Sequence, residues 1–238
     1  MRLDRALVEQ GLCRSRSRAQ QLIAEGRVRV DGEVVTRAAT VVQGQRLAVE
    51  DDPWVSRAAH KLLGALDDLR LTVSGRALDA GASTGGFTQV LLARGCELVH
   101  AVDVGHGQLA EPVRSDPRVR VHERLNLRDL TLAHLDGEPV DLVVADVSFI
   151  SLTLLVPALA GVTRADGRML LMVKPQFEVG RERLGRGGVV RDPALHQESV
   201  RTVAAAAREH GWQQQAVVTS RLPGADGNTE LFLLLQRG

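Results

Sequence analysis

The pattern of apolar and polar residues divides the chain into two parts. Up to about residue 50, two segments with apolar residues at helical spacing precede short alternating stretches around Asp31-Gly32, a dipeptide that favours a hairpin turn. From about residue 58, apolar runs of strand length alternate with helical segments. We therefore predict a small α+β domain at 1–50, a linker at 51–57 and a larger domain at 58–238.

The larger domain has the pattern of an α/β fold. Near-continuous apolar runs separated by helices predict a parallel sheet that is covered on both faces. The last two runs are joined by a turn-rich stretch with no room for a crossover helix, so the last strand is expected to be antiparallel. This arrangement is similar to the Rossmann-like, seven-stranded fold of class I S-adenosylmethionine-dependent methyltransferases. The predicted strands lie at 75–81, 97–105, 118–125, 139–147 and 167–175, with helices at about 85–95, 107–115, 150–162 and 194–210.

Composition narrows the class of protein. The chain has 44% apolar and 25% charged residues and a net charge of +1, so any affinity for nucleic acid must come from local patches. Cys13 and Cys96 lack the spacing of a metal site, which indicates a reduced setting without metal. Charged residues directly after Met1 argue against a signal peptide, and no apolar run reaches the length of a membrane span. We therefore expect a cytoplasmic protein.

Lysine is almost absent from the chain. Of 30 basic residues only Lys61 and Lys174 are lysines. Arginine is effectively always protonated, whereas a desolvated lysine can become a neutral base. The two lysines therefore indicate positions where the amine itself is needed, for example as a base. The alternative is that lysine stands there by chance.

A glycine-rich turn, "LDAGASTGGF", follows the first strand of the larger domain and opens a helix. Its glycines allow a tight turn and close approach of a ligand, but they do not fit GxGxxG, so a cofactor without phosphates fits better. Asp103 ends the next strand, where a carboxylate can accept from ribose hydroxyls. Asn126 and Asp129 follow the third strand and can approach an adenine; an Asx turn or helix cap explains them equally well. The candidate cofactor-binding residues are Asp79, Gly81, Ser83, Thr84, Gly85, Gly86, Asp103, Asn126 and Asp129.

Two lysines and two acids occupy positions that the predicted fold brings together. Asp146 and Lys174 end the fourth and fifth strands, and the carboxyl ends of such strands face the ligand crevice. Lys61 lies on the helix before the first strand, and Glu230 starts the last strand. A catalytic cluster and a structural ion-pair network both fit this pattern. The sequence "DVSF" after the fourth strand differs from the Asn/Asp-Pro-Pro-aromatic pattern of base-amino methyltransferases.

Arginines concentrate in two places. Residues 1–30 carry seven arginines against three acids, which suits a phosphate backbone, although a solvated face explains such a run as well. A glycine-rich loop at 178–193 follows Lys174 and can close over RNA; a surface loop is the alternative. The candidate RNA-binding residues are Arg14, Arg16, Arg18, Arg27, Arg29, Arg181, Arg183 and Arg186.

These motifs carry a family resemblance. Residues 1–48 resemble the S4-type RNA-binding domain, or α-L motif, and Lys61, Asp146, Lys174 and Glu230 look like the K-D-K-E tetrad of FtsJ-like ribose 2′-O-methyltransferases. Together with "GASTGGF", "DVSFIS", "VKPQFE" and "NTELF", they resemble the TlyA, or haemolysin A, family. The resemblance implies S-adenosylmethionine-dependent 2′-O-methylation of cytidine in ribosomal RNA of the small subunit, the large subunit or both. Ribosomal RNA or ribosomal subunits are the implied partners.

The resemblance also implies roles for the tetrad. A neutral amine on Lys174 would take the proton of the ribose hydroxyl, with Asp146 orienting it and with Lys61 and Glu230 positioning the ribose. Two other functions stay open. One is a non-catalytic RNA-binding protein, against which the intact tetrad argues; the other is a membrane-damaging haemolysin, which no apolar span or strongly amphipathic basic helix supports.

Overall fold

A computed structural model describes residues 1–13, 15–50, 52–224 and 226–238, with the backbone alone at Arg181 and Arg186. The chain divides into two compact units, Met1–Pro53 and Trp54–Gly238, called here the N-terminal and C-terminal units. The stretch predicted as a linker, 51–57, therefore contributes residues to both units.

The N-terminal unit consists of two helices and a three-stranded antiparallel sheet with the order β2-β1-β3. Ser15 starts the second helix, because its hydroxyl accepts from the backbone N–H of Arg18 at 3.2 Å. The predicted hairpin turn forms at Asp31 and Gly32, both with positive φ. The elements are α1 (Leu3–Glu9), α2 (Arg16–Ala24), β1 (Val28–Val30), β2 (Glu33–Val34) and β3 (Leu47–Val49).

The C-terminal unit alternates helices and strands, as the apolar pattern predicts. Short 3₁₀ turns fill several of the connections. Its elements are α3 (Ala58–Asp68), β4 (Arg76–Ala80), α4 (Gly86–Ala93), β5 (Leu98–Asp103), α5 (Glu111–Arg114), β6 (Val119–Glu123), β7 (Val140–Ala145), α6 (Val156–Val162), β8 (Thr163–Val173), α7 (Pro175–Glu178), α8 (Pro193–Glu209), β9 (Trp212–Thr219) and β10 (Leu231–Arg237).

The seven strands of this unit form one sheet in the order β6-β5-β4-β7-β8-β10-β9. Strands β4 to β8 pair in parallel, and β10 runs antiparallel to both β8 and β9. The predicted fold class, a mostly parallel sheet with an antiparallel last strand, is confirmed. The strand order reverses at β4, between β5 and β7, and such a switch point opens a crevice at the carboxyl ends of the strands.

Two helices begin later than the sequence predicts, and each has a proline in its first turn. The helix predicted from 107 begins at Glu111, with Pro112 after it, and the helix predicted from 150 begins at Val156, before Pro157. Proline lacks the N–H that a helix interior needs but is tolerated in the first turn, so it favours these starting points.

The sheet is buried on both faces. Leu78, Val143 and Met169 belong to one apolar cluster, and Val144 and Leu170 belong to the other. Neighbouring residues of a strand therefore enter different clusters, which explains why the strands have near-continuous apolar sequences. Within the described residues, no helix combines the length and apolar character needed to cross a membrane.

Candidate active site

Four strands place their ends along one edge of the sheet. Ala145, the last residue of β7, pairs in register with Ala80 of β4 and with Leu171 of β8. Val173, the last residue of β8, pairs with Leu231, the first of β10. The residues that directly follow β4, β7 and β8, and the residue that precedes β10, therefore meet at this edge.

Lys174 contacts Asp146 at this edge. The Lys174 Nζ lies 2.6 Å from Asp146 Oδ1, and the two side chains are 9% and 17% exposed. The same Nζ donates a hydrogen bond to the Ser148 hydroxyl at 2.9 Å. Pro175 follows Lys174 in the first turn of α7, so the ladder of β8 stops at the lysine.

Lys61 and Glu230 form a second ion pair. Lys61 projects from α3, and its Nζ lies 2.5 Å from Glu230 Oε2. The side chains are 7% and 3% exposed, so both charges are almost fully removed from water. The structure thus brings the four predicted catalytic residues together as two enclosed lysine–carboxylate pairs. Removal of one partner of a buried pair leaves an uncompensated charge, so each lysine depends on its acid.

The glycine-rich turn between β4 and α4 lies against the loop that carries Asp146. Gly81 has a φ of 90°, and a Cβ at this position would lie 2.6 Å from the carbonyl oxygen of Asp146. Gly85 has a φ of 93°, and a Cβ there would lie 2.9 Å from Leu109 and Val113. Only glycine fits either place, so the turn is shaped by close approach of neighbouring backbone and side chains.

A cavity of about 520 Å³ opens beside this turn. Its polar wall includes the carboxylates of Asp103 and Asp146, and its apolar wall includes Leu127 and Phe149. The full lining is Gly81, Ser83, Asp103, Val104, Gln108, Leu125, Asn126, Leu127, Asp146, Val147, Ser148, Phe149, Ile150 and Leu155. A smaller cavity of about 250 Å³ shares Gly81 and Asp146 with the larger one and reaches Lys174, Thr84 and Gly86.

Asp103 organises the turn as well as lining the larger cavity. Its two carboxylate oxygens accept from the backbone N–H groups of Ser83, at 2.8 Å, and Gly105, at 2.7 Å. Each oxygen keeps capacity for another donor, because a carboxylate oxygen has two lone pairs. Asn126 also lines the cavity, while its side chain accepts from the N–H of Arg128 as a helix cap. The helix-cap interpretation of Asn126 therefore describes an observed contact, and its approach to an adenine stays a prediction.

Three of the predicted cofactor-binding residues, Asp79, Gly85 and Asp129, line neither cavity within the described structure. Asp129 is exposed and lies in a 3₁₀ turn after Asn126. Asp79 is fully buried within β4, and its Oδ2 accepts from the Thr88 hydroxyl at 2.6 Å. Burial raises the pKa of the Asp79 carboxyl to about 7, and the nearby negative charge of Asp146 adds to the rise.

Three residues near the tetrad had no role in the sequence analysis. Ser148 is the hydroxyl partner of Lys174, and Phe149 is 91% exposed with a φ of 66°, an uncommon conformation for a bulky residue. Glu178 contacts the loop that carries both of them. The only sequence signal for these residues is their position within "DVSFIS" and "VKPQFE", directly after the two strand ends.

Three of the candidate RNA-binding arginines of the N-terminal unit, Arg16, Arg27 and Arg29, contact acids of that unit. The buried carboxylate of Asp4 accepts from Arg2 at 3.1 Å and from Arg16 at 3.0 Å, and Arg16 stays 56% exposed. The Arg2 side chain is the largest cause that holds the pKa of Asp4 well below its usual range. Arg18 donates to the Gln21 side chain, Arg27 pairs with Asp52, and Arg29 pairs with Glu50. Arg14 lies outside the described residues.

The glycine-rich loop after Lys174 is fixed at its far end. The buried side chain of Asn228 accepts from the N–H of Val190 at 2.9 Å and donates to the carbonyl of Gly188 at 3.2 Å. Arg183 pairs with Glu198 of α8. Arg181 and Arg186 lie in short 3₁₀ turns of this loop, and their side chains are outside the description. The loop is therefore anchored two residues before Glu230.

Comparison with known families agrees with this arrangement. Residues 54–237 match the FtsJ-like methyltransferase family, and residues 1–46 match the S4 domain. The 16S/23S rRNA (cytidine-2′-O)-methyltransferase TlyA of Mycobacterium tuberculosis is 53% identical over 99% of this chain and 89% of its own length. The chain belongs to the TlyA family of FtsJ-like methyltransferases. The predicted family and its two domain types are confirmed.

Further relatives carry two kinds of name. Hemolysin A of Brachyspira hyodysenteriae is 36% identical over 97% of both chains. A solved structure from Streptococcus thermophilus that bears a hemolysin name covers 100% of this chain and 88% of its own, with a TM-score of 0.79 and 37% identity. The N-methyltransferase NodS from Bradyrhizobium japonicum, at 16% identity and a TM-score of 0.55, shares the fold alone; it covers 80% of this chain and 100% of its own.

Proposed function

We propose that this protein transfers a methyl group from S-adenosylmethionine to the ribose 2′-hydroxyl of a cytidine in ribosomal RNA of the small subunit, the large subunit or both. The observation that carries the proposal is the contact of Lys174 with Asp146 and Ser148 beside a cavity at the switch point of the sheet. The relative from Mycobacterium tuberculosis, named for this reaction on 16S and 23S rRNA, supports the choice of substrate.

The larger cavity suits S-adenosylmethionine. Gly81 lets the turn lie directly against the backbone of Asp146 at the rim of the cavity, and Asp103 offers acceptors for ribose hydroxyls. Leu127 and Phe149 supply apolar surface for a nucleobase, and no phosphate needs to be bound. When bound, S-adenosylmethionine supplies a methyl group on a sulfonium that leaves as a neutral thioether.

Lys174 is the proposed general base. A ribose 2′-hydroxyl is a weak nucleophile, so its proton must be removed as it attacks. To accept this proton, the Lys174 amine must be neutral when it meets the hydroxyl, and its Nζ lies 2.6 Å from Asp146 Oδ1. Asp146 and Ser148 fix the direction of Nζ, which keeps the nitrogen aimed at the place of reaction.

Lys61 and Glu230 are proposed to position the ribose. Their pair is the more enclosed of the two, and Glu230 and Lys174 directly adjoin the last register pair of β10 and β8, Leu231 with Val173. A paired lysine and glutamate offer a donor and an acceptor to sugar hydroxyls without a change in net charge. This role differs from that of Lys174, whose amine must change its protonation state.

The N-terminal unit and the loop at 178–193 are proposed to hold the RNA. Arg16 is exposed although it contacts Asp4, and Arg29 is 43% exposed beside Glu50. An exposed ion pair is weak, so such an arginine can exchange its acid for a phosphate of the RNA. Because the proposed substrate is ribosomal RNA, we expect the protein to act in the cytoplasm where ribosomes assemble.

The test is methyl transfer in vitro. The purified protein is incubated with S-adenosylmethionine and with ribosomal RNA, small subunits or large subunits, and the RNA is digested to nucleosides. We expect 2′-O-methylcytidine with the native protein and none with Lys174→Ala. RNA binding without methyl transfer to any of these substrates would favour the non-catalytic alternative. Leakage of dye from liposomes would be the result expected of a haemolysin.

A further inference from the structure

The segments that carry Asp146 and Lys174 are joined by one carboxylate, that of Glu178. Glu178 is the last residue of α7, the short helix that begins directly after Lys174. Its Oε2 accepts from the Ser151 hydroxyl at 2.5 Å, and its Oε1 accepts from the N–H of Leu152 at 2.9 Å. Both oxygens therefore hold the same loop, the one that follows Asp146.

A second contact links the same two segments. The rings of Phe149 and Phe177 lie with their centroids 5.3 Å apart at an interplanar angle of 50°. Phe149 is otherwise 91% exposed and has a φ of 66°. A bulky residue keeps such a backbone conformation only when surrounding contacts enforce it. Glu178 makes such contacts with Ser151 and Leu152, which follow Phe149 by two and three residues.

The surroundings of Glu178 disfavour the negative charge of its carboxylate. Burial raises the pKa of its carboxyl, and its two hydrogen-bond partners are a hydroxyl and an amide rather than a cation. A half-buried carboxylate that is held only by neutral donors contributes little to stability, because no cation offsets the loss of water around its charge. A gain in global stability therefore does not explain why a glutamate stands at position 178. Its hydrogen bonds to Ser151 and Leu152, which hold the loop in place, do explain it.

The loop matters because it holds the hydrogen-bond partner of the proposed base. Ser148 accepts from Lys174 Nζ at 2.9 Å and lies between Asp146 and the residues that Glu178 holds. The loop is thus fixed at one end by β7 and at the other by Glu178. A displacement of the loop would shift the surroundings of Nζ.

We propose that Glu178 is a positioning residue that holds the loop from Ser148 to Leu152 against α7 and thereby sets the geometry at Lys174 Nζ. This inference rests on the proposed methyl transfer. Displacements of about 1 Å in a reacting group lower rates by about 100-fold. We therefore expect Glu178→Ala to lower kcat by about 10- to 100-fold, while the affinity for S-adenosylmethionine changes less than about threefold.

The test compares Glu178→Ala, Glu178→Gln and Ser199→Ala. Glutamine keeps the shape of the side chain, accepts from Leu152 and donates to Ser151, so Glu178→Gln should regain most of the rate. Ser199→Ala is the matched control, because it removes another buried hydrogen bond, from the Ser199 hydroxyl to the carbonyl of Leu195 at 2.7 Å, far along the chain in α8. It should leave kcat unchanged.

A second measurement separates this inference from the proposed function. Hydrogen exchange of segment 148–152 should accelerate by at least about tenfold in Glu178→Ala and stay unchanged in Glu178→Gln and Ser199→Ala. Unchanged exchange in Glu178→Ala would overturn the inference even if the protein methylated no RNA. Native methyl transfer with an undiminished kcat in Glu178→Ala, or an equal loss of kcat in Ser199→Ala, would overturn it as well. Absence of transfer by the native protein with accelerated exchange would count against the proposed function alone.

Discussion

Arg29 in the N-terminal unit and Lys61 in the C-terminal unit each contact a glutamate at nearly the same distance, in opposite surroundings. The Arg29–Glu50 pair measures 2.6 Å with side chains 43% and 48% exposed, and the Lys61–Glu230 pair measures 2.5 Å with side chains 7% and 3% exposed. An exposed pair contributes little stability, so its arginine can exchange a glutamate for a phosphate at small cost. A buried pair cannot separate cheaply, which suits a site with fixed geometry.

The choice of cation follows the same division. Arginine supplies all but two of the 30 basic residues, while both lysines lie in the enclosed pairs at the strand ends. Charge alone therefore does not explain lysine at these positions. For Lys174, the further property is the ability of the amine to lose a proton.

The largest expected effect is that of Lys174→Arg on catalysis. The variant keeps the charge and can keep a contact with Asp146, but it removes the group that can act as a base. We expect methyl transfer to fall by at least about 1,000-fold, with the dissociation constant of S-adenosylmethionine within about threefold of the native value. Single-turnover kinetics and calorimetry measure the two quantities. A variant with near-native turnover would show that Lys174 acts through charge.

The next effect is on stability and concerns the buried pair. Glu230→Ala leaves the charge of Lys61 without its carboxylate, so we expect a loss of about 3–5 kcal/mol in the free energy of unfolding. Urea denaturation measures this loss. The double variant Lys61→Met/Glu230→Leu, which removes both charges, should regain much of the stability but no methyl transfer. A double variant as unstable as Glu230→Ala would mean that packing rather than charge explains the loss.

Asp79 is a buried acid, and within the described structure its side chain contacts no cation. Its pKa is about 7 against an ordinary 3.8, so between about pH 4 and 7 the folded protein keeps a proton that the unfolded chain has lost. Its contribution to stability therefore falls as the pH rises through this window, and above pH 7 the penalty is complete, at most about 4 kcal/mol. Asp79→Asn should be more stable than the native protein at pH 8 and equally stable below pH 4. Thermal unfolding across this range measures the difference, and a constant difference would contradict the assignment.

The smallest stability effect is expected at the exposed pair. Glu50→Ala should cost about 0.2–1 kcal/mol, because Arg29 remains hydrated without its partner. RNA affinity should stay equal or rise, whereas Arg29→Ala should lower it and reduce the salt dependence of binding by about one phosphate contact. Filter binding over a range of salt concentrations tests both. Loss of RNA affinity in Glu50→Ala would show that the acid is needed to orient the arginine.

The sequence predicts the parts of the site that depend on strand ends. Asp146, Lys174 and Glu230 follow or precede apolar runs, so a parallel sheet with an antiparallel last strand brings them to one edge. The contacts of Glu178 and Phe149 depend instead on the path of an irregular loop, which has no periodicity. Asp79 shows another limit: it stands two residues before Gly81 in the turn motif, yet its side chain points to Thr88 within the core.

The central claim is that Lys174 accepts a proton, and chemical rescue tests it most directly. Lys174→Ala is assayed for methyl transfer to ribosomal RNA with added small amines or with guanidinium. We predict that the rate rises with the concentration of the neutral amine, and so increases with pH at fixed total amine, while guanidinium gives no rescue. Equal rescue by guanidinium, or rescue that follows the protonated amine, would contradict the account and assign Lys174 a purely electrostatic role.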